Sequence, residues 1–253
     1  MTLVDLRHHN ADYGFDGDYR AVPAPAVAAV VATTDAALLA VAARNLAKGR
    51  PIAAAVTGAV GATLGATAAL FIRTTRVGKF EAWAQILEGL GLRGDETLLD
   101  LGCGRGAVLL AAAKLLPEGR AIGVDIWRAD QTDNSPTNTL ANAALEGVAD
   151  RVEVHTADIT DLPFDDDRFD VIVSSLVVHN IPTNAGRAKA ISEAARVLRP
   201  GGRLVLADLW ATRRHVRQLR ELGWTDVARR DLGWRMWWGP GMGTHLITAT
   251  KPG

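Results

Sequence analysis

The sequence predicts an α/β fold built on a parallel sheet, and three observations carry that expectation. The apolar run TLLDL at residues 97–101 leads into glycines at alternate positions, Gly102, Gly104 and Gly106, and a helix over 107–116 starts at once after them. The segment FDVIVSS at 169–175 is apolar without alternation, as in a strand covered on both faces. A helix over 184–198 stops at Arg199-Pro200-Gly201-Gly202, the punctuation expected of a helix end, and a further strand follows over 203–208.

The remaining elements fall between these. Residues 79–90 read as an amphipathic helix with Phe80, Trp83, Ile86, Leu87 and Leu90 on its apolar side. A strand over 121–124 ends at Asp125, a helix spans 139–147, and a strand covers 151–155. The tail adds a helix over 213–222 and strands over 226–234 and 244–250.

Glycines in the first turn permit a sharp bend and the close approach of a ligand, because a Cβ would collide with it. Gly102, Gly104 and Ala107 also satisfy a relaxed dinucleotide fingerprint, so a nicotinamide enzyme is one alternative. Asp100 at the strand tip argues against it: a carboxylate repels a pyrophosphate and suits a ligand with a cationic amino group and sulfonium. Asp125 stands where an acid holds two ribose hydroxyls.

Residues 95–250 resemble the class I S-adenosylmethionine-dependent methyltransferases through LDLGCGRG, GVDIW, ADITDLPF, FDVIVSSLVVHNI and RVLRPGGRLVL, in that order. The resemblance implies a doubly wound, Rossmann-like sheet of seven strands, mostly parallel with the last reversed. It also implies S-adenosyl-L-methionine as co-substrate and no metal. Asp100 is then expected at the methionine amino group, and Gly102, Cys103 and Gly104 along the cofactor. Asp125 goes to the ribose and Ile126 to the adenine, with Trp127 beside them. Asp158 is expected at the adenine amino group, Ile159 against its ring, and Ser174 and Ser175 near the methionine. His179 is the candidate proton acceptor, tunable near neutral pH, and Asn180 a candidate for orienting the acceptor. Cys103 inside the turn reads as packing rather than as a reactive thiol.

Composition sets limits. The 253 residues carry 28 basic and 28 acidic side chains, so no global field attracts nucleic acid. Arg213, Arg214, Arg217 and Arg220 give one helix a basic face that reads as solvated. A single cysteine excludes an internal disulfide framework, and no Cys/His cluster has zinc spacing.

The chain divides into a polar tail (1–20), a hydrophobic helical hairpin (21–76) and the methyltransferase domain (77–253). Residues 51–72 contain no charge and 21–43 only Asp35, and each run is long enough to cross about 30 Å of hydrocarbon. Arg44, Lys48 and Arg50 fill the joint, while Arg73, Arg76 and Lys79 follow the second run, as anchoring flanks do. Asp35 reads either as an intramembrane acid or as a residue facing the partner helix, the joint or water. Against two full spans, the runs are rich in Ala, Gly and Thr, and a basic joint on the outer side breaks the positive-inside tendency. A single span, a hairpin embedded from the cytoplasmic side and a soluble homo-oligomerisation hairpin stay open.

Two features stand outside the resemblance: the polar loop over 127–138, a lid or an insertion, and Trp234, Trp237 and Trp238 beside Gly239-Pro240-Gly241, which suit a membrane interface or a small-molecule pocket. The expected function is methyl transfer to a small-molecule or lipid-like acceptor, with the catalytic domain in the cytoplasm at a membrane. The alternatives are a soluble methyltransferase whose N-terminal helices form the acceptor pocket or a dimer interface, and a non-catalytic cofactor-binding scaffold or sensor.

Overall fold

The computed structural model describes residues 5–17, 19, 21–128 and 130–253. Its centre is a seven-stranded sheet in the order β3-β2-β1-β4-β5-β7-β6. The strands are β1 (Thr97–Leu101), β2 (Arg120–Asp125), β3 (Val152–Thr156), β4 (Phe169–Ser175), β5 (Leu198–Asp208), β6 (Ala228–Asp231) and β7 (His245–Thr250). Pairs β3/β2, β2/β1, β1/β4 and β4/β5 are parallel, and β7 runs antiparallel to both neighbours, as expected. Chain order reverses between β1 and β4, so a crevice opens at the carboxyl ends of those strands.

Helices cover both faces: α3 (Lys79–Leu90), α4 (Ala107–Ala113) and α5 (Pro136–Leu145) on one, α6 (Asn184–Val197) and α7 (Thr212–Glu221) on the other. The apolar strands are thereby buried on both sides, with Leu98, Leu99, Val171, Ile172 and Val173 fully enclosed. Ser135 caps α5 and Thr183 caps α6, each hydroxyl accepting a first-turn backbone N–H. Helix α4 ends at Ala113, three residues short of the expected boundary, and β6 covers only 228–231 of the strand expected over 226–234. β6 pairs on one side alone, and the chain then turns through a 3₁₀ segment, Gly233–Met236.

The hydrophobic runs form two helices, α1 (Ala24–Ala47) and α2 (Pro51–Arg73), packed on each other as a hairpin. Both are long and apolar enough to cross a membrane. No residue of α1 is buried, and in α2 only Gly61 is. Asp35 faces the partner helix, with its carboxylate against Gly65 and its Oδ1 enclosed without a hydrogen-bond partner.

The hairpin does not end in a flexible joint. One helical run continues from Pro51 to Leu90, passing through a π-helical turn, Thr74–Gly78, into α3. Thr74 Oγ1 donates to the Trp237 carbonyl at 2.8 Å. Gly78 lies so close to the Arg235 carbonyl that a Cβ there would sit 2.1 Å from its oxygen, so only glycine permits this contact.

The stretch expected to be a polar tail is packed onto the catalytic domain. Leu6, Ala11 and Tyr13 are buried with the α3–α4 core. Glu146 Oε1 accepts from Asn10 N, Ala11 N and the Tyr13 hydroxyl at 2.8, 2.9 and 3.1 Å, and its Oε2 pairs with Lys114 at 2.7 Å. Burial alone would raise the Glu146 pKa, but Lys114 and these backbone donors outweigh it and hold the pKa below the ordinary value.

Candidate active site

A cavity of about 750 Å³ lies at the carboxyl ends of β1, β2 and β4. Asp100, Gly102, Cys103 and Gly104 line it from the first turn, Asp125 and Ile126 from the end of β2, Asp158 and Ile159 from the segment after β3, and Ser175, His179 and Asn180 from the segment ending β4. The structure thus brings eleven of the thirteen expected site residues to one space. Ser174 and Trp127 are the exceptions. Successive strand residues point to opposite faces, so the two serines cannot share the cavity: Ser174 is buried and its hydroxyl donates to the Leu101 carbonyl at 2.8 Å. Trp127 turns away in a left-handed conformation (φ 58°), packs on the core and donates its indole N–H to Thr156 Oγ1 at 2.7 Å.

The first turn is fixed by Asp125. Its Oδ2 accepts the Gly104 N–H at 2.9 Å and its Oδ1 the Trp127 N–H at 2.6 Å. Gly102 has φ 71°, and a Cβ on it would meet Val177 at 2.3 Å, so the turn and the segment after β4 approach as closely as glycine allows. Cys103 is buried, and burial pushes its thiol well above the ordinary pKa, which suits packing rather than reactivity.

Asp100 is 1% exposed, and its Oδ1 has no hydrogen-bond partner. Burial, then the negative charge of Asp125, push its pKa up to about 8. Asp125 is raised by burial, against the pull of its backbone donors, and Asp130 by burial and then by Asp125. Buried carboxylates, with Asp125 raising the pKa of both Asp100 and Asp130, fit a cationic ligand and disfavour a pyrophosphate. The unpartnered Asp100 oxygen beside the glycine turn has the chemistry to take an ammonium group, so these residues fit S-adenosylmethionine.

At the other end of the cavity, His179 Nδ1 lies 2.5 Å from Asp208 Oδ1, and Asp208 Oδ2 accepts the His179 backbone N–H at 3.0 Å. The Leu209 N–H also donates to Oδ1 at 2.7 Å. Trp210 meets the imidazole edge-on at 5.3 Å between ring centroids, and Arg187 donates to the His179 and Ile181 carbonyls at 3.2 and 2.8 Å. Asn180 Nδ2 donates to Asp130 Oδ2 at 3.2 Å.

Several lining residues escape sequence reasoning. Trp83 of α3 donates its indole N–H to Ser175 Oγ at 2.9 Å. Buried Lys79 pairs with Asp16 Oδ2 at 2.6 Å, bringing the N-terminal segment to the cavity rim. Gln131 Oε1 accepts the Arg105 N–H at 2.8 Å while its Nε2 donates to the Tyr13 carbonyl at 2.9 Å. Gln131 and Thr132 of the polar loop therefore close on the glycine turn together with Tyr13 and Phe15. Asp208 had one legible signal, an acid at the carboxyl end of the strand beside β4.

Comparison with known proteins agrees with this geometry. Residues 99–206 match the family model described as a methyltransferase domain. The chain is 37% identical over 121 residues to 27-O-demethylrifamycin SV methyltransferase of Amycolatopsis mediterranei, covering 47% of this chain and 40% of that protein. It is 31% identical over 133 residues to demethylmenaquinone methyltransferase of Symbiobacterium thermophilum, covering 52% and 50%. The matched region is thus half or less of each relative's length. A geranyl diphosphate methyltransferase solved in complex with SAM shares the fold at TM-score 0.56 and 19% identity, covering 74% of this chain and 90% of that one. With its glycine turn, its carboxylate-lined crevice and its reversed seventh strand, the chain carries a class I S-adenosylmethionine-dependent methyltransferase domain.

Proposed function

We propose that this protein transfers a methyl group from S-adenosylmethionine to a protic group on a small, apolar or lipid-like acceptor, and that it does so at a membrane surface. The observation that carries the cofactor half is Asp100, buried with an unpartnered oxygen beside the glycine turn. Asp100 holds the ammonium, Asp125 the ribose hydroxyls, Asp158 and Ile159 the adenine. When bound, the co-substrate supplies a methyl group already activated on a cationic sulfur, so the protein has to align, desolvate and deprotonate the acceptor.

His179 carries the deprotonation. Asp208 accepts the Nδ1–H, which leaves the Nε2 lone pair as the imidazole's free base. The acceptor's proton goes to Nε2 and from there to water. Five carboxylates (Asp16, Asp100, Asp125, Asp130 and Asp158) line the cavity against Lys79 and Arg128, so a neutral acceptor suits it better than a diphosphate. The acceptor end is apolar, formed by Phe71, Leu176, Leu209, Trp238 and Met242. The hairpin, apolar and uncovered, supports the membrane setting.

The test has two arms. Calorimetry with S-adenosylhomocysteine is expected to show binding to the wild type that Asp125→Ala abolishes. Membranes and soluble extract incubated with methyl-labelled co-substrate are expected to yield a labelled product from the membrane fraction. A chain that binds no S-adenosylhomocysteine overturns the cofactor assignment, and product from soluble extract alone overturns the membrane setting.

A further inference from the structure

Two consecutive residue pairs separate two spaces. Leu70 and Trp237 line an open groove of about 480 Å³ on the outer side of α2, while the next residues, Phe71 and Trp238, line the active-site cavity. The groove runs along Ala62, Thr63, Ala66, Thr67 and Leu70 of α2, with Trp237 and Pro240 completing its lining. The partition between groove and cavity is therefore one residue thick on each side. Phe71 and Trp238 meet edge-to-face at 5.9 Å between ring centroids, and Met242 stands beside them on the cavity side.

The partition is held at its base. Thr74 Oγ1 donates to the Trp237 carbonyl, Gly78 is pressed on the Arg235 carbonyl, and the Trp238–Met242 turn is closed by Trp238 N–H to Met242 O and Met242 N–H to Gly239 O. Trp237 and Met242 themselves stay only partly buried. Arg73 stacks over the ring of Trp234, which is 52% exposed, at 3.9 Å, a cationic and aromatic pair at the level where the hairpin meets the domain. Such pairs suit the boundary between headgroups and hydrocarbon, which puts the groove on the hydrocarbon side of that level and the cavity on the aqueous side.

We propose that the groove is the hydrocarbon-chain subsite of the acceptor. Resting on the membrane reading above, the acceptor is an amphiphile whose prenyl or acyl tail lies along α2 from Ala62 to Leu70, about 12 Å of helix. Its polar head passes between the Phe71 side and the Trp238–Met242 side to reach His179. The acceptor thus moves laterally from the bilayer and never crosses water. The groove is lined mainly by carbon, with the hydroxyls of Thr63 and Thr67 its only side-chain oxygens, and the partition on its cavity side is formed by Phe71 and Trp238, which fits a single hydrocarbon chain.

The test uses the full chain in phosphatidylcholine–phosphatidylglycerol vesicles that contain a diazirine-bearing fatty acid, with labelled residues mapped by mass spectrometry. The expected result is label on α1 and α2 and also on the turn from Trp237 to Met242. Ala66→Trp, which fills the groove from an exposed helix position, is expected to lower the label on that turn at least about tenfold. Under the same conditions Ala55→Trp, near the start of α2, leaves it unchanged, and neither variant alters the affinity for S-adenosylhomocysteine. Label on the hairpin with none on the turn, or a turn label indifferent to Ala66→Trp, overturns the subsite while the membrane reading stands. A hairpin that takes no label overturns both.

Discussion

Asp208 grips His179 twice, through Nδ1 at 2.5 Å and through the backbone N–H at 3.0 Å, so one carboxylate fixes both the ring and the peptide that carries it. The carboxylate is 2% exposed and sits at the end of β5, beside the strand that delivers the histidine. In the proposed mechanism Asp208 is a positioning residue, holding His179 with Nδ1 towards the carboxylate.

Asp208→Asn is expected to lower kcat about a hundredfold or more, with KM for the acceptor close to that of the wild type. His179→Gln should lower kcat to a similar level, and the double variant should lose little more, because the two act as a unit. Steady-state rates across pH check this. A fall in rate on the acid side that survives in Asp208→Asn with unchanged kcat refutes the dyad.

Ligand affinity is expected to depend on pH through Asp100. Its folded pKa, about 8, stands above the ordinary carboxylate value, and a cationic ligand requires the ionised form. Affinity for S-adenosylhomocysteine should therefore rise about tenfold per pH unit below 8 and level off above it. Stability of the free protein runs the other way. The folded state holds a proton that the unfolded state releases between the ordinary value and 8, so stability falls as pH rises through that window. Asp100→Asn should abolish binding and stabilise the free protein at pH 8 by on the order of 2 kcal/mol, about 4–8 °C in Tm. Calorimetry and thermal melts at several pH values measure both.

Glu146 ties residues 10–13 to the domain. Glu146→Gln should cost about 1–3 kcal/mol, since buried donors lose a charged acceptor. The folded pKa of Glu146 is lowered, so its contribution is present above the unfolded value of about 4.5 and is lost as pH falls through the folded one. Hydrogen exchange at the Asn10 and Ala11 amides should accelerate in the variant at neutral pH, and in the wild type only in acid. Equal protection in both would deny Glu146 this role.

Leu6, Ala11 and Tyr13 pack on the domain core, so substitution rather than deletion tests the hairpin. Val30→Asp with Val60→Asp puts one acid in the second turn of α1 and one near the middle of α2, at up to about 2.5–3.5 kcal/mol apiece on insertion scales. The double variant should move from the membrane pellet to the supernatant with S-adenosylhomocysteine binding intact. A wild type already found in the supernatant without detergent excludes membrane attachment.

What could be read in advance was local. The strand over 169–175, the helix over 79–90 and the glycine turn with Asp100 and Asp125 each declare themselves within a dozen or two residues. Ser174 shows the limit of that reading, because a strand buried on both faces carries no alternation to say which serine meets the cavity. Trp83 and Ser175 lie 92 positions apart, and Gln131 and Tyr13 118 apart, so no periodicity announces their contacts.

The sequence by itself determined the strands at the centre of the sheet, the carboxylates at their tips and the two long apolar runs, because these follow from short-range pattern and turn stereochemistry. Only the tertiary structure decided that residues 5–17 close over the cofactor turn, that Asp208 holds His179, and that α2 continues into α3 and brings Phe71 to the cavity wall. Those outcomes depend on which distant surfaces pack together, and burial against a distant partner leaves no local signature in either segment.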